Sequence, residues 1–206
     1  MDAHLRAGVA IYNAGGYHAA HDAWEDHWLG LASGTDEERF LHGLIQFTAA
    51  VHHGHRGNWE GVRGLAESAG EYLEGLPSPY RGVDLDPVRS YLAAIASDPE
   101  HVERNPPLPL HYDGEAIRPA DLDFEAAAVA AVVLAEEVSG YDEAVLEDAV
   151  RYASAAIDDG RDGPFVALVM DFAVESDRRG LVYQRLRVHV ERRRAEERDV
   201  EGLFDE

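Results

Sequence analysis

The sequence predicts an all-α protein built as an array of antiparallel helical hairpins, in the manner of helical-repeat proteins. Apolar residues recur every three or four positions through most of the chain, which is the spacing of amphipathic helices. Short breaks rich in glycine, asparagine, serine and proline separate these segments, and no long alternating segment predicts a strand. The predicted helices cover residues 3–13, 17–31, 37–55, 59–73, 86–96, 122–138, 141–158, 164–175 and 178–198.

Capping residues support two of these helix starts. Thr35 precedes an acidic first turn that includes Glu38, a pattern that stabilises a helix N-terminus. Asn58 follows a glycine at the start of the fourth helix and is interpreted as its cap.

The segment 98–120 differs in composition from the rest of the chain. It holds five prolines and the turn-forming pair Asp113-Gly114. This composition predicts either a small β-hairpin near 106–118 or a proline-rich linker. We therefore expect a helical domain at 1–97, a connection at 98–120 and a C-terminal helical unit at 121–206. Whether the two helical parts pack as one domain is left open.

The charge is extreme: 40 acidic residues stand against 18 basic ones, a net charge of −22, and every basic residue is arginine. Such a chain repels itself in dilute buffer. In molar salt the Debye length falls to about 3 Å and screens that repulsion. The composition therefore predicts a halophilic protein adapted to high internal salt, as in haloarchaea. Cysteine is absent, which excludes disulfides, thiolate nucleophiles and cysteine-ligated zinc.

The longest apolar run, residues 126–135, is about half the length that spans a bilayer. The first residues carry no signal-peptide apolar stretch. We therefore expect a cytoplasmic protein without a membrane partner.

Histidine is concentrated near the N-terminus, with eight of the eleven within the first 55 residues. On the second helix, His21 and Glu25 are four residues apart and share a polar stripe at the edge of the apolar face. On the third helix, Gln46 and His53 are seven apart on a stripe of small residues that would let another helix approach. We predict that these two pairs face each other.

Three interpretations of this cluster remain open. The first is a divalent metal, such as zinc, iron or manganese, held by His21, Glu25 and His53, with Gln46 or His18 assisting. Such a site leaves positions for a water that the metal activates, although the spacing matches no standard metal motif. The second is a hydrogen-bond network that joins the two helices. The third is metal-free acid–base catalysis.

Two ordered motifs resemble the family known as domain of unknown function 309. The first is YNAGGYHAAHDAWEDHW at residues 12–28, and the second contains Leu44-Ile45-Gln46, Ala49-Ala50, His53 and Gly57-Asn58. The similarity extends over about residues 5–95. It implies a small all-α fold with a helical-repeat-like arrangement and brings no established activity. The candidate residues that match the family pattern are His21, Glu25, Gln46, His53 and Asn58.

Three functions follow as hypotheses. A binding or structural helical module, whose partner is a peptide, a protein or a second copy in a homodimer, is favoured by the amphipathic helices. A metal-dependent hydrolase that uses the His/Glu/His site is the alternative. Nucleic-acid binding through the arginine-rich last helix is disfavoured by its interspersed glutamates and by the net charge. We expect the remaining histidines of the third predicted helix to be solvated; these are His42, His52 and His55.

Overall fold

The structure is a computed structural model and describes residues 1–161 and 163–202. Over these residues the all-α prediction is confirmed, because ten α-helices form and no β-sheet does. The chain divides into two compact units, Met1–Leu122 and a second unit that begins at Asp123.

The first unit is a series of helices in which each of the first four packs against the next. This is the arrangement expected of helical hairpins joined by short turns. Its helices are α1 (Asp2–Asn13), α2 (Tyr17–Trp28), α3 (Asp36–His55), α4 (Trp59–Leu73), α5 (Leu85–Ser97) and α6 (His101–Arg104), and a 3₁₀ turn follows at Pro119–Asp121.

The second unit contains four α-helices. They are α7 (Phe124–Glu137), α8 (Glu143–Asp158), α9 (Pro164–Val174) and α10 (Arg179–Gly202), with a 3₁₀ turn at Ser176–Arg178. Helices α7, α8 and α10 all pack on α9, and α8 also packs on α7 and α10. The core of the unit is apolar, with Leu146, Phe172 and Leu186 completely buried.

Helices α1 and α2 pack closely against each other. Trp24 is completely buried, and its indole N–H donates to the carbonyl oxygen of Leu5 at 3.2 Å. The ring lies over Gly8, where an added Cβ would stand 2.1 Å from the indole nitrogen. Only glycine therefore allows this approach of the two helices.

Both predicted caps are confirmed. The hydroxyl of Thr35 accepts a hydrogen bond from the backbone N–H of Glu38, and the side-chain oxygen of Asn58 accepts one from the N–H of Gly61. Each satisfies a donor that the first turn of the helix leaves without a partner.

Two elements differ from the prediction. Helix α2 ends at Trp28 and not at residue 31, because the chain turns at Leu29 and Gly30, and the Leu29 side chain is 70% exposed. Helix α6 was not predicted; it is four residues long and lies in the proline-rich segment, so its length gives no periodicity to detect.

The part of that segment near 106–118 forms a tight turn, in which Tyr112 forms one bridge to Glu115 and another to Val83. Asn13, at the end of α1, holds it in place. The Asn13 amide donates to the carbonyl oxygens of Leu110 (2.8 Å) and Ile117 (2.9 Å), and its oxygen accepts from the N–H of Leu110. One polar side chain thus fixes both arms of the turn.

None of the helices in the described part of the chain has both the length and the apolar character needed to cross a bilayer.

The α1–α2 contact gives a prediction about stability. We expect Gly8→Ala to lower the free energy of unfolding by about 1–3 kcal/mol, because the methyl group forces the Trp24 ring out of its position. Gly64→Ala is the matched control, since an added Cβ there meets nothing within 4 Å and should raise stability by about 0.5–1 kcal/mol. Urea unfolding in high salt, followed by circular dichroism, measures both. Equal effects would disprove the packing constraint.

Candidate functional site

The polar face of α2 is set by the burial of its opposite face. Ala19, Ala20, Ala23 and Trp24 are at most 2% exposed and face the core. Since successive residues turn by about 100°, His18, His21, Asp22 and Glu25 fall together on the outer half of the helix.

Asp22 is the centre of this face. Its two carboxylate oxygens accept hydrogen bonds from two imidazoles, one from Nδ1 of His18 at 3.1 Å and one from Nδ1 of His21 at 3.0 Å. Glu25 lies one turn further along, with its Oε2 atom 3.9 Å from Nδ1 of His21. The site is therefore a half-buried strip of two imidazoles and two carboxylates.

Hydrogen bonding shifts the acid–base behaviour of this strip. The hydrogen bond to Asp22 raises the pKa of His21; burial opposes this, and the charges of Glu25 and Asp22 add to it. Burial raises the pKa of Asp22, but the hydrogen bond from His21 and the nearby imidazoles outweigh it and bring the pKa below its ordinary range. Both shifts favour a protonated His21 beside an ionised Asp22.

The same atoms meet the distance requirement for a metal ion. One ligand atom from each of His21, Asp22 and Glu25 lies within 4.8 Å of the other two. Nitrogen and oxygen ligands bind zinc at about 2.0–2.2 Å, so ligand atoms around one ion stand about 3–3.5 Å apart. The three ligand atoms are thus close enough together to be candidates for one ion.

The predicted partner His53 has a different neighbour. Asn58 donates from its Nδ2 atom to Nδ1 of His53 at 2.7 Å, while its oxygen caps α4. Among the described residues, His53 belongs to no group of three or more potential ligands within 4.8 Å of one another. The structure thus brings His21 and Glu25 together and places His53 with Asn58.

Gln46 also has a partner on its own helix. Its Nε2 atom donates to Nε2 of His42 at 3.0 Å. The His42 ring stacks on Tyr72, with centroids 3.9 Å apart, and lies 4.6 Å from Trp28. Its Nδ1 atom is 3.4 Å from Glu38. The expectation that His42 is solvated is wrong, because its side chain is only 20% exposed.

The other two α3 histidines make ring contacts. His55 is exposed, as expected, but its ring stacks on Tyr17 at 5.1 Å. His52 is half-buried, and its ring lies 5.5 Å from that of His18. These contacts extend the histidine-rich surface from α2 to α3.

Asp22 is the ligand candidate that sequence reasoning missed. Residues one apart on a helix point about 100° away from each other, so a search for neighbours three or four apart does not pair it with His21. Its four-residue spacing from His18 was the available signal, since that pair is in register on the same face.

Comparison with known proteins supports the family resemblance. The model of the family described as Domain of unknown function (DUF309) matches residues 5–65, so this part of the chain is similar to that family. This range contains most of α1, all of α2 and α3, and all five candidate residues.

A curated relative, an uncharacterized protein of Aquifex aeolicus (strain VF5), is 28% identical over 96 residues. The match covers 47% of this chain, and the chain spans only 28% of the length of that relative. No activity accompanies either similarity.

The Asp22–His21 contact predicts a measurable pH dependence. Since the folded chain favours protonated His21, the contact adds stability that is fully present below the ordinary pKa of about 6.5 and is lost as pH rises through the raised pKa. We expect NMR titration to give His21 a pKa above 6.5, and Asp22→Asn to lower it. Asp26→Asn, on the same helix, is the control. An unchanged His21 pKa in Asp22→Asn would contradict the assignment.

The double role of Asn58 predicts the effect of its removal. We expect Asn58→Ala to lower the free energy of unfolding by about 1 kcal/mol, because the first turn of α4 loses its cap. Asn58→Ser retains an acceptor and should recover most of that loss. Thermal unfolding of the three proteins measures the difference, and equal stability of all three would show that the cap contributes nothing.

Proposed function

We propose that the Met1–Leu122 unit is a helical binding module and that the ligand of its α2 face is a divalent transition-metal ion. The observation that supports this most directly is the convergence of His21, Asp22 and Glu25 within 4.8 Å. Such an ion would be held by one imidazole and two carboxylates.

The chemistry of the donor set indicates the class of ion. Imidazole suits zinc, iron and other late first-row metals, and carboxylates extend the range to manganese. The side chains of His21 and Asp22 are 27% and 22% exposed, and that of Glu25 is 43% exposed. A half-buried site of this kind admits an ion from solvent and leaves coordination positions open.

The proton on His21 competes with the metal. A ligating imidazole must be neutral on the nitrogen that binds. Because the contact with Asp22 raises the pKa of His21, we expect metal affinity to fall as pH is lowered through that pKa. His18 also contacts the Asp22 carboxylate. It is therefore placed to substitute for Asp22 as a metal ligand or to bind the ion as a further ligand.

A hydrolase that uses metal-bound water is the second candidate. It is favoured by the open coordination positions that a three-residue set leaves on a partly exposed face. Self-association and adaptation to high salt stay predictions; sedimentation across a range of KCl concentrations tests both.

The metal hypothesis has a direct test. Untagged protein, purified in high salt without chelator, is titrated with Zn²⁺ and Mn²⁺ by calorimetry, and its metal content is measured by plasma mass spectrometry. We expect near-stoichiometric binding, weakened about 100-fold or more in His21→Ala and in Asp22→Asn, since even indirect supports of a metal ligand contribute 10–100-fold.

Three control variants make the outcome specific. Asp26→Asn, on the same helix, and His111→Gln, elsewhere in the unit, should leave affinity unchanged. His53→Ala distinguishes the two ligand sets: retained affinity supports the α2 set, whereas a loss equal to that of His21→Ala restores the predicted His21/Glu25/His53 set. Absence of stoichiometric binding in the parent protein would disprove the proposal.

A further inference from the structure

The second unit contains a pocket that has no role in the function proposed for the α2 face. It has a volume of about 250 Å³ and lies between the end of α8, the start of α9 and the middle of α10. Its principal lining side chains are Tyr152, Phe165, His189, Arg192, Arg193 and Glu196. Small-molecule sites begin at about 300 Å³ for drug-sized ligands, so this pocket suits a smaller molecule.

The charge of the lining is opposite to that of the chain. Arg192 and Arg193 share one carboxylate, that of Glu196, at 4.0 Å and 3.3 Å. Arg161 also lines the pocket and pairs with Asp159, and the charge of Glu197 acts on Arg193. Among the described lining side chains, three arginines therefore stand beside one carboxylate, in a protein whose net charge is −22. Arginine cannot lose its proton in proteins, so the excess positive charge persists at every accessible pH.

The start of α9 adds to this potential. Gly163, Pro164 and Phe165 line the pocket, and within residues 1–161 and 163–202 no side chain caps this helix. The first-turn N–H groups of an uncapped helix and the positive end of its dipole both favour an anion.

The opposite walls are aromatic. The rings of Tyr152 and Phe165 are 5.1 Å apart at 41°, and Phe165 lies 6.0 Å from the His189 ring. Arg193 stands 5.8 Å from the centre of the Tyr152 ring. These rings offer flat apolar surface next to the guanidinium groups.

Contacts between α8 and α10 hold the walls in place. Tyr152 donates its hydroxyl proton to Glu197 at 2.7 Å, and Arg151 pairs with the same carboxylate. Arg194 forms an ion pair with Asp148 and donates to the carbonyl oxygen of Ala144 at 2.9 Å. These contacts of Glu197 and Arg194 thus fix α10 to α8.

We propose that this pocket binds a small aromatic carboxylate. The ring would lie against Tyr152 and Phe165, and the carboxylate would accept hydrogen bonds from Arg192 and Arg193. The retained Glu196 carboxylate repels a dianion such as phosphate more strongly than a monoanion, so a carboxylate is the better match. The planar guanidinium group also matches the geometry of a carboxylate.

The test uses benzoate and the full-length protein. Saturation-transfer NMR and calorimetry measure its binding at low and at molar KCl, with the fold checked by circular dichroism. We expect saturable binding that weakens as salt rises, because chloride screens the ionic contact. Inorganic phosphate tests the anion alone and benzyl alcohol tests the ring alone; both should bind at least about tenfold more weakly than benzoate.

Variants then locate the site. Arg192→Gln should weaken benzoate binding about tenfold, the loss expected for a charged hydrogen bond, and Phe165→Leu should weaken it without changing its salt dependence. Arg185→Gln, an exposed α10 residue outside the pocket lining, is the matched control and should bind as the parent does. Absent binding, equal binding of phosphate, or affinity unaffected by Arg192→Gln would each overturn the proposal.

Discussion

The burial of Trp24 against Gly8 is the contact on which the geometry of the first unit depends. The indole group fills the space between α1 and α2 and donates to the carbonyl oxygen of Leu5 at 3.2 Å, so α2 has one permitted rotation about its axis. With Trp24 facing inward, the helical period places the histidines and carboxylates of α2 outward. The site therefore results from core packing, because no polar contact is needed to choose which face of α2 meets the solvent.

Most of the fold follows from local rules that the sequence displays. The helix at 59–73 was predicted with both ends correct, because Asn58 supplies a cap and a glycine and proline pair follows the last turn. The errors occur where tertiary contacts override local pattern. Periodicity continues through Leu31, but the indole of Trp28 bonds to Glu38 on the next helix at 3.0 Å, and the chain turns before Leu31. Local spacing contains no information about that bond.

The candidate site was predictable only within one helix. The proximity of His21 and Glu25 follows from their four-residue separation. The predicted approach of Gln46 and His53 to that pair required the rotation of α3 relative to α2, which side-chain packing sets and periodicity does not. Both residues instead found partners close in sequence: Gln46 bonds to His42, and His53 bonds to Asn58.

The two proposed sites share one structural feature, but their proposed ligands have opposite charge. In each, one carboxylate lies between two nitrogen groups. Asp22 accepts hydrogen bonds from two imidazoles, whereas Glu196 accepts one from Arg193 and forms a longer ion pair with Arg192. Imidazole can give up its proton near neutral pH, so the α2 site can become an electron-pair donor and take a cation. Guanidinium cannot, so the α8–α10 pocket keeps its positive charge and selects an anion. At molar salt the field of the remaining charges is screened beyond about 3 Å. The proposals of a cation for one site and an anion for the other therefore rest on these local contacts and not on the net charge of the chain.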